Sequence, residues 1–146
     1  MQKENPNNEK FKANSKYKYG VVVSKWYKKE YTEKMLNEAS DCFKKFGAKL
    51  EKIIWVPGSY ELPLGAQKLI DKGLDAILVL GVVIRGETSH YDHVCSTTSN
   101  GIMKVSLDNK KPVIFGLLTC ENHKQVKERL NKVEDWVRST IEICEI

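Results

Sequence analysis

Four runs of apolar, mostly β-branched residues, each followed by a stretch long enough for an amphipathic helix, restrict this chain to very few architectures. The runs are Tyr19 to Val23 (YGVVV), Lys52 to Val56 (KIIWV), Ala76 to Ile84 (AILVLGVVI) and Pro112 to Leu118 (PVIFGLL). They are apolar throughout instead of alternating, as parallel strands covered on both faces must be. After the first run, Tyr31, Met35, Ala39, Cys42, Phe43 and Phe46 recur at helical spacing, and Gly47 supplies the stop. Leu62, Ala66, Leu69 and Ile70 make a second helical face ended by Gly73, and Val94, Thr98, Gly101, Ile102 and Val105 make a third. Val126, Leu130, Val133, Val137, Ile141 and Cys144 form one unbroken stripe with no Gly or Pro in residues 122–146. That spacing predicts a single helix, continuous or gently kinked, from about Asn122 to Glu145. Alternating strands and helices need right-handed crossovers, so the expected fold is a three-layer α/β/α sandwich around a four-stranded parallel sheet.

A chain of 146 residues has room for one such domain, and its 41% hydrophobic and 29% charged content is ordinary for a globular protein. Residues 1–16 (MQKENPNNEKFKANSK) are polar and poor in core formers, which marks a disordered or loosely docked arm ahead of a domain at 17–146. No apolar run approaches the roughly 20 residues of a bilayer span. The start lacks a secretory apolar stretch and is a poor transit peptide, so a cytoplasmic protein without membrane contact is expected. Cys42, Cys95, Cys120 and Cys144 show no paired spacing and read as buried free thiols. Of the +5 net charge, +3 lies in the first 18 residues, where five lysines face two glutamates. The rest is scattered over helix faces, without the basic stripe and interleaved aromatics that nucleic acid requires.

Ligands of open α/β sheets bind beyond the carboxyl ends of the strands, and three of those ends carry unusual residues. The first strand exits into Ser24-Lys25-Trp26-Tyr27, where Trp26 is either a packing aromatic or a platform for a flat heterocycle. The second exits into Val56-Pro57-Gly58-Ser59-Tyr60-Glu61-Leu62-Pro63, a tight turn in which Ser59 is expected to cap the following helix. Glu61 there either accepts bonds from ligand hydroxyls or simply favours the positive helix end. The third exit runs from Gly81 through Ile84, Arg85, Gly86, Glu87, Thr88, Ser89 and His90 to His93. A strand, glycines, then Thr-Ser opening a helix is an arrangement that holds phosphate on free backbone N–H groups. It nearly matches the phosphate-loop pattern G-x-x-x-x-G-K-S/T, but Glu87 stands in place of the lysine, which disfavours triphosphate chemistry. A small phosphorylated metabolite fits instead. His90, in the first helical turn beside that anion, is suited to move protons near neutral pH. His90 and His93 lack a third ligand at metal-binding spacing, so no metal is expected. After the fourth strand, Glu121-Asn122 opens a helix bearing Arg129, whose planar guanidinium suits phosphate.

The blocks VPGSYELP, GVVIRGETSHYDHV and KPVIFGLLTCENHKQVKER, in this order, resemble those of the 6,7-dimethyl-8-ribityllumazine synthases over about Tyr19 to Ile146. The resemblance implies condensation of 5-amino-6-(D-ribitylamino)uracil with 3,4-dihydroxy-2-butanone 4-phosphate in riboflavin biosynthesis, with no metal or organic cofactor. It implies that Trp26 stacks on the pyrimidine, that Ser59, Tyr60 and Glu61 bind the uracil and ribityl chain, and that the backbone of Val82, Val83 and Ile84 bonds the ring edge. It further implies phosphate binding by Glu87, Thr88 and Arg129 and proton transfer by His90. Phe115 would reach a neighbouring subunit's site within a pentamer, free or built into a closed shell. Trp26-Tyr27 replaces the family's usual Phe-Asn. The family's glycine-rich loop, which normally separates the arginine from Asn-Lys-Gly, is cut short here: Leu130 passes straight into Asn131-Lys132-Val133, with Val133 in place of the glycine. Two other readings share this fold: a catalytically impaired shell-forming or flavin-binding homologue, and an archaeal-type riboflavin synthase.

Overall fold

A computed structural model of the chain describes residues 11–146. Strands β1 (Lys18–Ser24), β2 (Lys49–Val56), β3 (Ala76–Ile84) and β4 (Val113–Cys120) form one all-parallel sheet in the order β2-β1-β3-β4. The register sets apolar residues side by side across the sheet. Val21 lies between Ile53 and Leu78, and Leu78 is paired in turn with Ile114. Successive residues of β1 enter opposite cores: Val21 and Val23 pack with Met35, Phe43 and Ile141, whereas Val22 packs with Leu62, Ala66 and Leu69. Unbroken apolar runs were therefore the correct signal, because both faces are covered. Helices α1 (Glu33–Lys45), α4 (His123–Arg129) and α5 (Val133–Cys144) cover one face, and α2 (Leu62–Asp71) and α3 (His90–Asn109) cover the other. The expected three-layer α/β/α sandwich is the observed fold.

The helix stops are local. Gly47 (φ 71°) and Gly73 (φ 92°) adopt the left-handed conformation that ends α1 and α2 without a Cβ clash. The link from β1 to α1 is less ordinary. Tyr27 takes φ 59°, ψ 32°, and one π-helical turn (Lys28–Thr32) follows before α1 begins. The N–H groups of Tyr31 and Thr32 both donate to the Tyr27 carbonyl, and the buried Thr32 hydroxyl donates to the Ser24 carbonyl at 2.8 Å. Such a turn inserts one residue into the helical ladder and re-aims the chain at a strand end.

Of the expected arm, residues 1–10 lie outside the described residues. Next to them Phe11 packs edge-on against Phe46 at 5.2 Å, and the Ala13 N–H donates to the Phe46 carbonyl.

Of the two forms expected for the last helix, continuous or gently kinked, an unbroken α-helical ladder is not what forms. The α-helical bonding stops at Arg129, a 3-10 turn occupies Leu130–Lys132, and α5 begins at Val133. No residue there has positive φ, so the path stays helical but its ladder is interrupted. Length explains the interruption. A straight helix of 24 residues would measure about 36 Å, against about 26 Å for an eight-residue strand. Breaking the ladder lets both Val126 and the α5 stripe (Val133, Val137, Ile141) remain fully buried. Each such side chain contributes roughly 1.5–3 kcal/mol of burial, far more than a few strained hydrogen bonds would cost.

Candidate active site

Beyond the carboxyl ends of β1, β2 and β3 lies a cavity of about 370 Å³ lined by Trp26, Tyr27, Gly58, Ser59, Tyr60, Glu61, Val82, Val83, Ile84, His90 and Val94. Its mouth is open: Trp26 is 67% and Tyr60 60% exposed. Trp26 leaves β1 with its N–H on the Ser24 hydroxyl at 3.2 Å. Its indole rests on Gly58, where a Cβ would come within 2.8 Å of Cδ1, 3.1 Å of Nε1 and 3.3 Å of a Glu61 carboxylate oxygen. Pro57-Gly58 therefore does more than turn the chain, since the missing side chain is the seat of the aromatic platform.

Ser59 does not cap α2 as expected. It opens a 3-10 turn (Ser59–Glu61) whose preceding residue is Gly58, and α2 begins only at Leu62, where Pro63 in the first turn needs no hydrogen-bond partner. The Ser59 hydroxyl is buried at the cavity wall, above Gly81, and has no hydrogen-bond partner among the described residues, while its carbonyl accepts from the Thr98 hydroxyl at 3.2 Å. An unsatisfied buried hydroxyl is costly unless a ligand or water completes it.

The turn after β3 is exposed from Gly86 to His90. Among the described residues, the N–H groups of Gly86, Glu87, Thr88 and Ser89 have no acceptor, whereas the His90 N–H donates to the Thr88 hydroxyl at 3.2 Å. Ser89 stands at the start of α3 without making a side-chain cap. Free amides at the start of a 20-residue helix are suited to an anion. Immediately before them, Arg85 is tied to two carboxylates. Its Nε donates to both Glu121 oxygens at 2.8 and 3.1 Å, and Nη1 and Nη2 donate to the two Asp92 oxygens at 3.2 and 3.1 Å. These bonds, those to Asp92 foremost, hold its pKa above the ordinary arginine value.

Eight of the residues singled out in the sequence thus share one cavity: Trp26, Ser59, Tyr60, Glu61, Val82, Val83, Ile84 and His90. Four do not line it. Glu87 and Thr88 sit on the exposed turn beside it. Arg129 is exposed, with Nη1 donating to the Gln125 carbonyl at 3.1 Å, and among the described residues it makes no hydrogen bond or ion pair with that turn. Phe115 is the third residue of β4, paired with Val79 and half-exposed, so it stands near the start of the strand and not at its carboxyl end.

Sequence reasoning missed Arg85, whose partners, seven and thirty-six residues away, lie on other segments of the chain, so no single helical or strand period links them. It also missed His123, whose Nδ1 lies 2.6 Å from the buried Tyr31 hydroxyl and whose ring meets Tyr27 edge-on at 5.7 Å. The Asn122 side chain does cap α4, accepting from the Gln125 N–H at 2.9 Å. Among the described residues, no group of three or more His, Cys, Asp or Glu side chains gathers closely enough to hold a metal ion.

Residues 16–146 match the family model described as 6,7-dimethyl-8-ribityllumazine synthase. A protein from Prochlorococcus marinus subsp. pastoris named 6,7-dimethyl-8-ribityllumazine synthase is 45% identical over 122 residues, covering 79% of this chain and 77% of that protein.

Proposed function

This chain belongs to the 6,7-dimethyl-8-ribityllumazine synthase family, a family of transferases in riboflavin biosynthesis, and we propose that it condenses 5-amino-6-(D-ribitylamino)uracil with 3,4-dihydroxy-2-butanone 4-phosphate in the strand-end cavity. The observation that carries this reading is the adjacency, in one open cavity, of an aromatic platform, the end of strand β3 and a histidine beside free helix-start amides. Those three features answer to the flat pyrimidine, its polar edge and the phosphate of the second substrate.

In this scheme Trp26 stacks on the pyrimidine, and the backbone of Val82, Val83 and Ile84 meets its polar edge. Ser59 and Glu61 take the ribityl hydroxyls, with Tyr60 at the rim. The 5-amino group attacks the ketone and water leaves, giving an imine. Loss of a proton next to the imine expels inorganic phosphate. The enol left behind tautomerises to a ketone, the ribitylamino nitrogen closes the ring on that new carbonyl, and a second water departs. His90 moves the protons, because the leaving phosphate is held on the amides from Gly86 to Ser89 one residue before it. Glu87, Thr88 and Arg129 complete the phosphate corner. Phe115 acts in a neighbouring subunit's site, which makes the enzyme a homo-oligomer, a pentamer or a shell of pentamers. It works in the cytoplasm; among the described residues, no helix is long and apolar enough to cross a membrane.

The test mixes the purified protein with both substrates and follows lumazine absorbance together with phosphate release. The expected result is one phosphate per lumazine at a rate well above the spontaneous reaction. A rate equal to that background would overturn the proposal.

A further inference from the structure

The turn from Gly86 to Ser89 poses a physical problem. It is exposed, and a Cβ built on Gly86 meets nothing within 4 Å. Little packing therefore holds it in place, yet amides can bind an anion well only if they are already oriented. What fixes this turn are its two ends. At one end the Arg85 N–H donates to the Cys120 carbonyl at 2.9 Å, and at the other Asp92 stands in the first turn of α3. The Arg85 side chain joins those ends directly through Asp92 and ties both to Glu121, which follows β4. Its guanidinium carbon also lies 4.4 Å from the centre of the Tyr91 ring. A forked, planar cation is required for two carboxylates to be bridged in this way. The segment so closed contains all four free amides and His90.

We propose that Arg85 is a positioning residue for the phosphorylated substrate. By clamping Asp92 and Glu121 it sets the orientation of the amides from Gly86 to Ser89 and of His90, without touching the substrate itself. This rests on the synthase reading above. It also accounts for two acidic side chains beside an anion-binding turn, whose charges are spent on Arg85 instead of facing the phosphate.

The experiment compares the whole enzyme with Arg85→Met, Arg85→Lys, Asp92→Ala and Arg85→Met/Asp92→Ala. It measures kcat, the KM of each substrate, and inorganic phosphate binding by calorimetry. Arg85→Met and Asp92→Ala should each raise the KM of the phosphorylated substrate about tenfold and weaken inorganic phosphate, as expected for misplaced binding groups. The KM of the uracil substrate should stay within about twofold, since its side of the cavity does not depend on the clamp. The double variant should be no worse than either single one, because both break one unit. Arg85→Lys should not restore the lost affinity, as a point charge cannot fork.

An unchanged phosphate-substrate KM in Arg85→Met, or a fully functional Arg85→Lys, would overturn the proposal. So would tighter phosphate binding by Asp92→Ala, the mark of an arginine that binds phosphate directly once released. A wild-type protein that makes no lumazine would overturn the synthase reading instead. Hydrogen exchange then decides the clamp alone. The Asp92 and His93 amides, which donate to the Ser89 carbonyl at 3.0 and 3.3 Å, should exchange about tenfold faster in Arg85→Met. Unchanged exchange would overturn the clamp.

Discussion

At the scale of single residues, His90 is the group whose chemistry is best separated from the fold. It is exposed, lines the cavity and receives no packing that the core depends on. Replacing it with alanine should leave the thermal midpoint unchanged while lowering kcat. Positioned acid–base groups contribute about 10²–10⁴-fold, and the low end is expected because imine formation partly proceeds unaided. An unaltered kcat would remove His90 from the mechanism. Its place at the cavity was legible in the sequence because a strand, two glycines and a helix start form a contiguous signal. The seat of Trp26 was not legible. Gly58 reads as half of a turn, and only the three-dimensional path shows an indole 2.8 Å from its absent Cβ. Ser59 misled for a related reason. A serine after Pro-Gly is a good cap by local preference, but Pro63 moves the helix start forward and leaves the hydroxyl facing the cavity wall.

Among the elements, the strands and the first three helices follow from their apolar patterns, and their stops from Gly47 and Gly73. The last helical segment is different, because its residues are all compatible with a straight helix and the limit comes from the sheet it must cover. Periodicity reports which face is buried. It does not report how far a neighbouring layer extends. The 3-10 turn at Leu130–Lys132 leaves Arg129 as the last residue of α4, exposed and bonded to the carbonyl one turn back. A residue at a helix end can swing without disturbing the core, so its use by phosphate requires only the exchange of one exposed hydrogen bond. Arg129→Ala should therefore weaken the phosphorylated substrate about tenfold, as loss of a charge-assisted bond does. It should leave uracil binding and thermal stability unchanged. Separate titrations with the two substrates check this, and an unchanged phosphate-substrate affinity would retire Arg129 as a ligand.

For the whole molecule, the surface left uncovered is the informative part. Helix α3 has 20 residues but buries only Thr98 and Ile102, while Met103 and Leu107 are 58% and 67% exposed. Leu64 and Tyr60 are exposed on neighbouring elements, and Phe115 is half-exposed on edge strand β4. Exposed apolar side chains mark an interaction site where they gather, and a long helix with so small a buried stripe is incompletely packed. In the proposed assembly, further copies of the chain would cover that surface and bring a Phe115 to each cavity. A stable contact of this kind buries on the order of 1,000 Å² or more. Light scattering should then give a mass of at least about five times the 16.7 kDa subunit, and activity per subunit should fall on dilution as the assembly separates. Mixing tests whether the sites are shared. A Phe115→Ala subunit and a His90→Ala subunit damage different sides of one composite site, so assemblies refolded from both contain some sites with neither defect. Their activity at low substrate should exceed the mean of the two parents. Activity equal to that mean, or a fully active monomer, would show that each chain completes its own cavity.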